Sequence, residues 1–185
     1  MKDREMLARL LGEDIRKMLF RLDVLALSGE TAAVSHQSRV MIKLLDDFRL
    51  AEEIACGSRM LELYPVNLNQ LIEESAHTAG KERISLQLAK RRMVLSNREV
   101  LRRSVDNLIL SIDGEASICL RSEAAGEQLR LAVLSDRFVT APSSNLRVAR
   151  HLFECLGVTL NPVRRGEMFG LKAEMERSAQ MSLLG

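Results

Sequence analysis

The sequence predicts an α+β protein in two parts, an N-terminal antiparallel helical hairpin followed by an α/β sandwich. Three observations predict it. Apolar residues up to position 56 recur at helical spacing over two long runs. Tyr64-Pro65-Val66 then marks a change from long helices to short mixed elements. Beyond it the pattern runs helix, strands, helix, strands, helix, strands, which suits helices laid on one face of a mixed sheet. The boundaries follow as 1–62 for the hairpin, 63–176 for the sandwich and 177–185 for a loose polar tail. A chain of 185 residues can bury one good core, or a small one with a helical appendage.

Taken in order, residues 3–28 place Leu7, Leu11, Ile15, Met18, Leu22 and Leu25 at steps of four and three, one face of a helix. At about 1.5 Å per residue that helix is roughly 39 Å long. Ser28-Gly29-Glu30 breaks it. Residues 31–56 carry Met41, Leu44, Phe48, Ala51 and Ala55 on one face, and Gly57 closes the run. Two helices cannot enclose a core, so the seam closes most simply with a second copy as a four-helix bundle. The alternative packs the hairpin on the rest of its own chain. Leu68, Leu71, Ile72, Ser75 and Ala76 describe a short helix from about Asn67, and 84–88 and 93–95 read as strands. Residues 97–112 form a strong helix capped by Ser96 or Asn97, with Leu101, Val105, Leu108 and Ile112 inward. Residues 117–122 and 128–134 make a β-hairpin around Ala124-Ala125-Gly126. A helix over 146–156 is anchored by Val148, Leu152 and Phe153, and strands 158–163 and 168–173 flank Arg164-Arg165-Gly166.

Composition narrows the function classes. Hydrophobic content is 46% and charged content 28%, ordinary for a globular chain, and with 3% aromatics the core must be aliphatic. Net charge is +2, and the basic clusters Lys90-Arg91-Arg92, Arg102-Arg103 and Arg164-Arg165 lack interleaved aromatics, so nucleic acid is an unlikely partner. Charges interrupt the apolar residues near the N-terminus, which predicts no membrane span and a cytoplasmic protein. Cys56, Cys119 and Cys155 show no metal or disulfide spacing and read as buried thiols in a reducing compartment. His36 and His77 read as solvated or capping, and His151 as a surface residue facing away from Val148 and Leu152.

Five stretches carry a resemblance. Leu11-Gly12-Glu13-Asp14-Ile15-Arg16-Lys17-Met18-Leu19 resembles the phosphoacceptor box of bacterial sensor histidine kinases, x-x-His-Glu-(Ile/Leu)-Arg-Thr-Pro-Leu, with Glu13 where the acceptor His would stand. Asp14, Ile15, Arg16 and Leu19 match, while Lys17 and Met18 replace Thr-Pro, so the proline bend should be missing. The stretch from Arg98 to Ile112 resembles the family's asparagine box, with Asn107-Leu108 matching and Ser111 replacing the asparagine that in the family binds magnesium. Leu131-Ala132-Val133-Leu134-Ser135-Asp136 resembles the strand ending in Asp-x-Gly-x-Gly, but Arg137-Phe138-Val139 follow. The run from Leu146 to Gly157 resembles the helix after the second glycine box, where Ser143-Ser144-Asn145 now stand, and Arg165-Gly166-Glu167-Met168-Phe169 resembles the closing turn and strand. Order and spacing make the chain similar to a histidine kinase core, a helical dimerisation and phosphotransfer domain joined to a Bergerat-fold (GHKL) ATP-binding domain.

That resemblance implies a machine stripped of its chemistry. A carboxylate cannot hold a stable phosphoramidate, and Ser is a short, neutral substitute for the metal ligand. Only nine residues separate Asp136 from Leu146, too few for both glycine boxes and a nucleotide lid. The resemblance therefore implies a protein that is not an enzyme, with no catalytic residue, cofactor or metal, and with Asn107, Ser111 and Asp136 as remnants. Asp136 reads as a strand-end turn residue ahead of an adenine ligand. Helical geometry puts Glu13 about 200° from Leu11 and Ile15, opposite the apolar stripe and toward solvent. The implied role is a homodimeric adaptor that docks a response-regulator receiver domain or a sensor kinase through Glu13, Asp14, Arg16, Lys17 and Phe20. Glu13 reads either as a partial mimic of phosphohistidine or as a plain surface charge. The rival readings are a divergent ATP-binding kinase or ATPase and a DNA-associated regulatory oligomer.

Overall fold

The computed structural model describes residues 2–90, 93–112, 114–137 and 143–178, apart from the side chains of 2–11, 14 and 81. The stripe positions Leu7 and Leu11, the side chain of Asp14, Arg91 and Arg92, Phe138 with residues 139–142, and the tail from 179 lie outside that description.

Helix α1 (Lys2–Leu27) ends at Ser28-Gly29, where Gly29 takes φ 77°, a left-handed turn that a side chain resists. Helix α2 (Thr31–Ala55) then returns along it. Of the expected stripes, Ile15, Met18, Leu22 and Leu25 on α1 and Met41, Phe48 and Ala55 on α2 are half-buried, the latter flanking fully buried Leu44 and Ala51. No described helix is long and apolar enough to cross a membrane.

Strand β1 (Tyr64–Asn67) follows, and Asn67 caps helix α3 (Leu68–Ala79), its Oδ1 accepting from Gln70 N at 3.2 Å. A turn of 3₁₀ helix (Lys81–Arg83) leads to β2 (Ile84–Gln87) and β3 (Met93–Ser96). Asn97 caps α4 (Arg98–Leu110), accepting from Val100 N at 3.1 Å. Strands β4 (Ile118–Ala125) and β5 (Gln128–Ser135) pair as a hairpin. Ser143 caps α5 (Ser144–Cys155), and β6 (Leu160–Arg165) and β7 (Met168–Glu176) complete the chain. Each of these caps stabilises its helix by about 1 kcal/mol.

The main sheet runs β2-β4-β5-β7-β6, parallel between β2 and β4 and antiparallel elsewhere. This mixed five-stranded sheet with helices on one face is the expected α+β architecture. Leu71, Ile72, Leu101, Leu108, Ile109 and Phe153 from the helices bury against Leu120, Leu131, Val133 and Leu171 of the sheet. Gly170 of β7 is required by close approach: a Cβ there would stand 1.8 Å from the Val133 carbonyl oxygen. The other face carries charges in ladders, Arg121–Glu123–Arg165 and Arg130–Glu174–Lys172.

Three expectations need correction. Tyr64-Pro65-Val66 is not a bare boundary but a strand, paired antiparallel with β3 in a separate two-stranded sheet. A proline is tolerated there because β1 has a partner on one side only. Cys56 is exposed at the C-cap of α2, and Cys155 is only partly buried. His151 is not a surface residue: its side chain is 12% exposed, with Nε2 2.9 Å from Glu52 Oε1 on α2.

The end of α2 packs on the body of its own chain. Leu44, Leu50 and Ala51 bury with Val100 of α4 and Val148 and Leu152 of α5, and Ile15, Met18 and Phe48 border them.

Candidate functional site

On α1, Arg16, Lys17 and Phe20 lie three, four and seven residues after Glu13, which aligns them on one helix face, and all four are exposed. Phe20 is 71% exposed, an unusual position for a ring in a chain with so few aromatics. Phe20 and Val24 border a groove of about 450 Å³, which Met18, Lys17, Arg21 and Gln37 of α2 complete. Its walls are apolar and its rim basic. No described side chain from Gly12 to Lys43 is fully buried, and Leu19, Val24, Leu27 and Ile42 join Phe20 as exposed apolar residues.

Asn107 lies elsewhere, in the seam between α2 and α4. It is 1% exposed, and its Nδ2 donates to Asp47 Oδ2 at 2.6 Å and to the Arg103 carbonyl at 2.9 Å. Asp47 is fully buried and also accepts from Arg103 Nη1 at 2.6 Å and from Lys43 Nζ at 2.7 Å. Burial works to release the Arg103 proton, but the hydrogen bond and charge of Asp47, helped by Glu99, outweigh it and raise the guanidinium above its ordinary value. Asn107 thus fastens the helix pair to the body. Sequence reasoning missed Asp47, although a signal existed: it stands three residues after Leu44 and four before Ala51, on the apolar stripe.

Ser111 ends α4, and its hydroxyl donates to the Leu108 carbonyl at 2.7 Å. Asp136 is exposed just past β5, with Oδ1 accepting from Ser117 N at 3.0 Å. Those contacts test whether a magnesium nucleotide fits this donor set. Asn107 is fastened inside the seam by its amide nitrogen and Ser111 by its hydroxyl proton, so magnesium would have to take the remaining oxygen lone pairs of the two. Among the described residues no group of three or more His, Cys, Asp or Glu could hold a metal ion.

Solved structures decide the architecture. The histidine kinase AdeS of Acinetobacter baumannii superposes at TM-score 0.67 with 14% identity, covering 89% of this chain and 98% of that one. The fold is that of a histidine kinase. The histidine kinase ThkA, solved in complex with the response regulator protein TrrA, superposes at 0.62 with 18% identity over 96% of this chain and 62% of that one. The ATP-binding domain of PrrB from Mycobacterium tuberculosis superposes at 0.54 with 17% identity, over 64% of this chain and 99% of that one. No family model matches the sequence, and no curated protein matches it. These likenesses overturn one expectation. The chain was expected not to be an enzyme, whereas the solved proteins sharing the histidine kinase fold are kinases and their ATP-binding domains.

Proposed function

We propose that this chain acts in two-component signalling as a histidine-kinase-like docking protein of the cytoplasm. Its helix pair joins that of a second copy in a four-helix bundle, and the bundle binds the receiver domain of a response regulator, or a partner kinase. One observation carries the reading: on a histidine kinase fold, the stretch holding Glu13, Asp14, Arg16, Lys17 and Phe20 leaves Phe20 71% exposed beside an apolar groove with a basic rim. An exposed aromatic next to a groove is the kind of anchor that partner surfaces bury. That ThkA was solved with a response regulator supports a receiver domain as the occupant. The lack of any fully buried described side chain from Gly12 to Lys43 supports a second copy along the same helices. Glu13 supplies a fixed negative charge where a phosphohistidine would carry a larger one.

Calorimetric titration of purified receiver domains into the full chain tests the docking part. Binding is expected for at least one receiver, with Phe20→Ala weakening it by about tenfold or more, the scale of a binding hot spot. Equal affinity of wild type and Phe20→Ala for every receiver that binds, or no binding at all, defeats it.

A second reading is favoured by the likeness to the ATP-binding domain of PrrB: an ATP-binding enzyme that holds its nucleotide with residues other than Asn107 and Ser111. A ligand at a hundred times its Kd stabilises a protein by about 2.7 kcal/mol. Magnesium-ATP should then raise the melting temperature by several degrees, and no shift at millimolar nucleotide removes this reading.

A further inference from the structure

We propose that the crevice where α2 meets α3 and α4 binds a small zwitterion of the amino-acid class with a short aliphatic side chain. It shares no residue with the docking strip on α1 and does not depend on that reading. The crevice has a volume of about 250 Å³, which suits a small metabolite and not a nucleotide.

Its deepest polar group is the hydroxyl of Ser75. Ser75 lines the crevice, is 1% exposed, and its Oγ is buried with no hydrogen-bond partner among the described residues. The contrast with Thr78, one turn on, is instructive. Thr78 gives its hydroxyl to the Glu74 carbonyl at 3.0 Å, the ordinary solution on a helix. A buried hydroxyl left unpaired is costly, and Ser75 Oγ is the unpaired polar atom beneath this crevice.

The charges around it are of both signs and lie on different helices. Arg39 and Lys43 of α2 line one side. Arg39 uses two donors on Ser35, at 3.2 and 3.4 Å, and Lys43 uses one on Asp47 at 2.7 Å. Each cation therefore keeps donors for a carboxylate. Across the crevice stands Asp106 of α4, half-buried, which takes no hydrogen bond from any described residue. Its carboxylate suits an ammonium group. Val40, Ala79 and Leu110 supply apolar wall from all three helices. A carboxylate, an ammonium and an aliphatic body, close together, are the three parts of an aliphatic amino acid. Because α2 belongs to the helix pair while α3 and α4 belong to the body, a bound ligand bridges the two.

Calorimetric titration of the full chain with L-leucine, 4-methylpentanoate and 3-methylbutylamine separates the possibilities. L-leucine is expected to bind, and each analogue, lacking either the ammonium or the carboxylate, to bind at least about tenfold more weakly. Asp106→Asn should weaken L-leucine by about tenfold and leave 4-methylpentanoate unchanged, whereas Arg39→Gln should weaken both. Neither side chain is fully buried, and an unchanged melting temperature verifies that each variant folds. Three ligands of equal affinity, an affinity indifferent to both substitutions, or no binding of L-leucine at millimolar concentration overturns the proposal.

Discussion

The two ends of the helix pair are built from the same kinds of residues and meet opposite fates. Near the end of α2, Leu44, Leu50 and Ala51 are buried against α4 and α5, and a charge among them, Asp47, is fully enclosed by partners. Around the turn between the helices, Leu19, Phe20, Val24 and Leu27 remain in water, Leu27 at 90% exposure. Amphipathicity cannot account for the difference, since both ends carry an apolar stripe. What differs is whether the chain's own body reaches the stripe. The seam end therefore contributes to stability, and the turn end is the surface on which the proposed association rests.

Substitutions at the two ends should separate those contributions. The largest effect is expected at Asp47. Asp47→Ala strands Arg103 and Asn107 without their buried acceptor, which should cost about 3–5 kcal/mol in urea unfolding. A loss below about 1 kcal/mol would show that the network is incidental. Next, Leu152→Ala empties a fully buried position in the seam and should cost about 2–5 kcal/mol. Leu27→Ala, the same chemical change in an exposed position, should stay within about 0.5 kcal/mol. Similar losses for the two would erase the contrast between the ends.

The smallest effect is expected away from the pair, on the open face of the sheet. Hydrogen bonds from Lys172 and then Arg130 hold the Glu174 carboxyl below its ordinary value. With the folded value depressed, the contribution is present above the unfolded carboxylate value and disappears as pH falls through the folded one. Glu174→Gln should accordingly be slightly less stable than wild type near neutral pH, with the gap closing in acid. A gap that widens in acid would reverse the sign. The exposed ladder thus sharpens the comparison from the other side, since ion pairs in water are worth little beside the enclosed Asp47 pair.

Local chemistry was the legible part of this sequence. Asn67 and Asn97 cap helices where a polar side chain precedes an apolar run, and Gly29 sits where a left-handed turn is needed, whereas the Ser143 cap starts its helix two residues before the predicted Leu146. The strands of the main sheet fall on the segments read as strands, with bounds shifted by up to three residues. What stayed hidden depended on which element meets which. β1 was concealed by Pro65, whose usual meaning is a break and which a strand with a single neighbour can hold. Asp47 stands beside Asp46 in the sequence, and the partners that enclose it, Arg103 and Asn107, come from a segment more than fifty residues away. His151 turns away from the Val148 and Leu152 row, as its helix alone suggests, but toward Glu52 of α2. Asn107 was readable by resemblance as a remnant of a nucleotide site, whereas its amide is engaged in fastening α4 to α2. A stripe on one helix says that something covers it and does not say what.

Hydrogen exchange of the full chain, alone and with a receiver domain that binds it, tests the division of labour most directly. Amides of residues 13–27 are predicted to gain protection on adding the receiver, while those of 44–55 are protected beforehand and change little. Protection gained only at 44–55 or on the sheet, with 13–27 unaltered, would contradict the assignment of partner recognition to the exposed end of the helix pair.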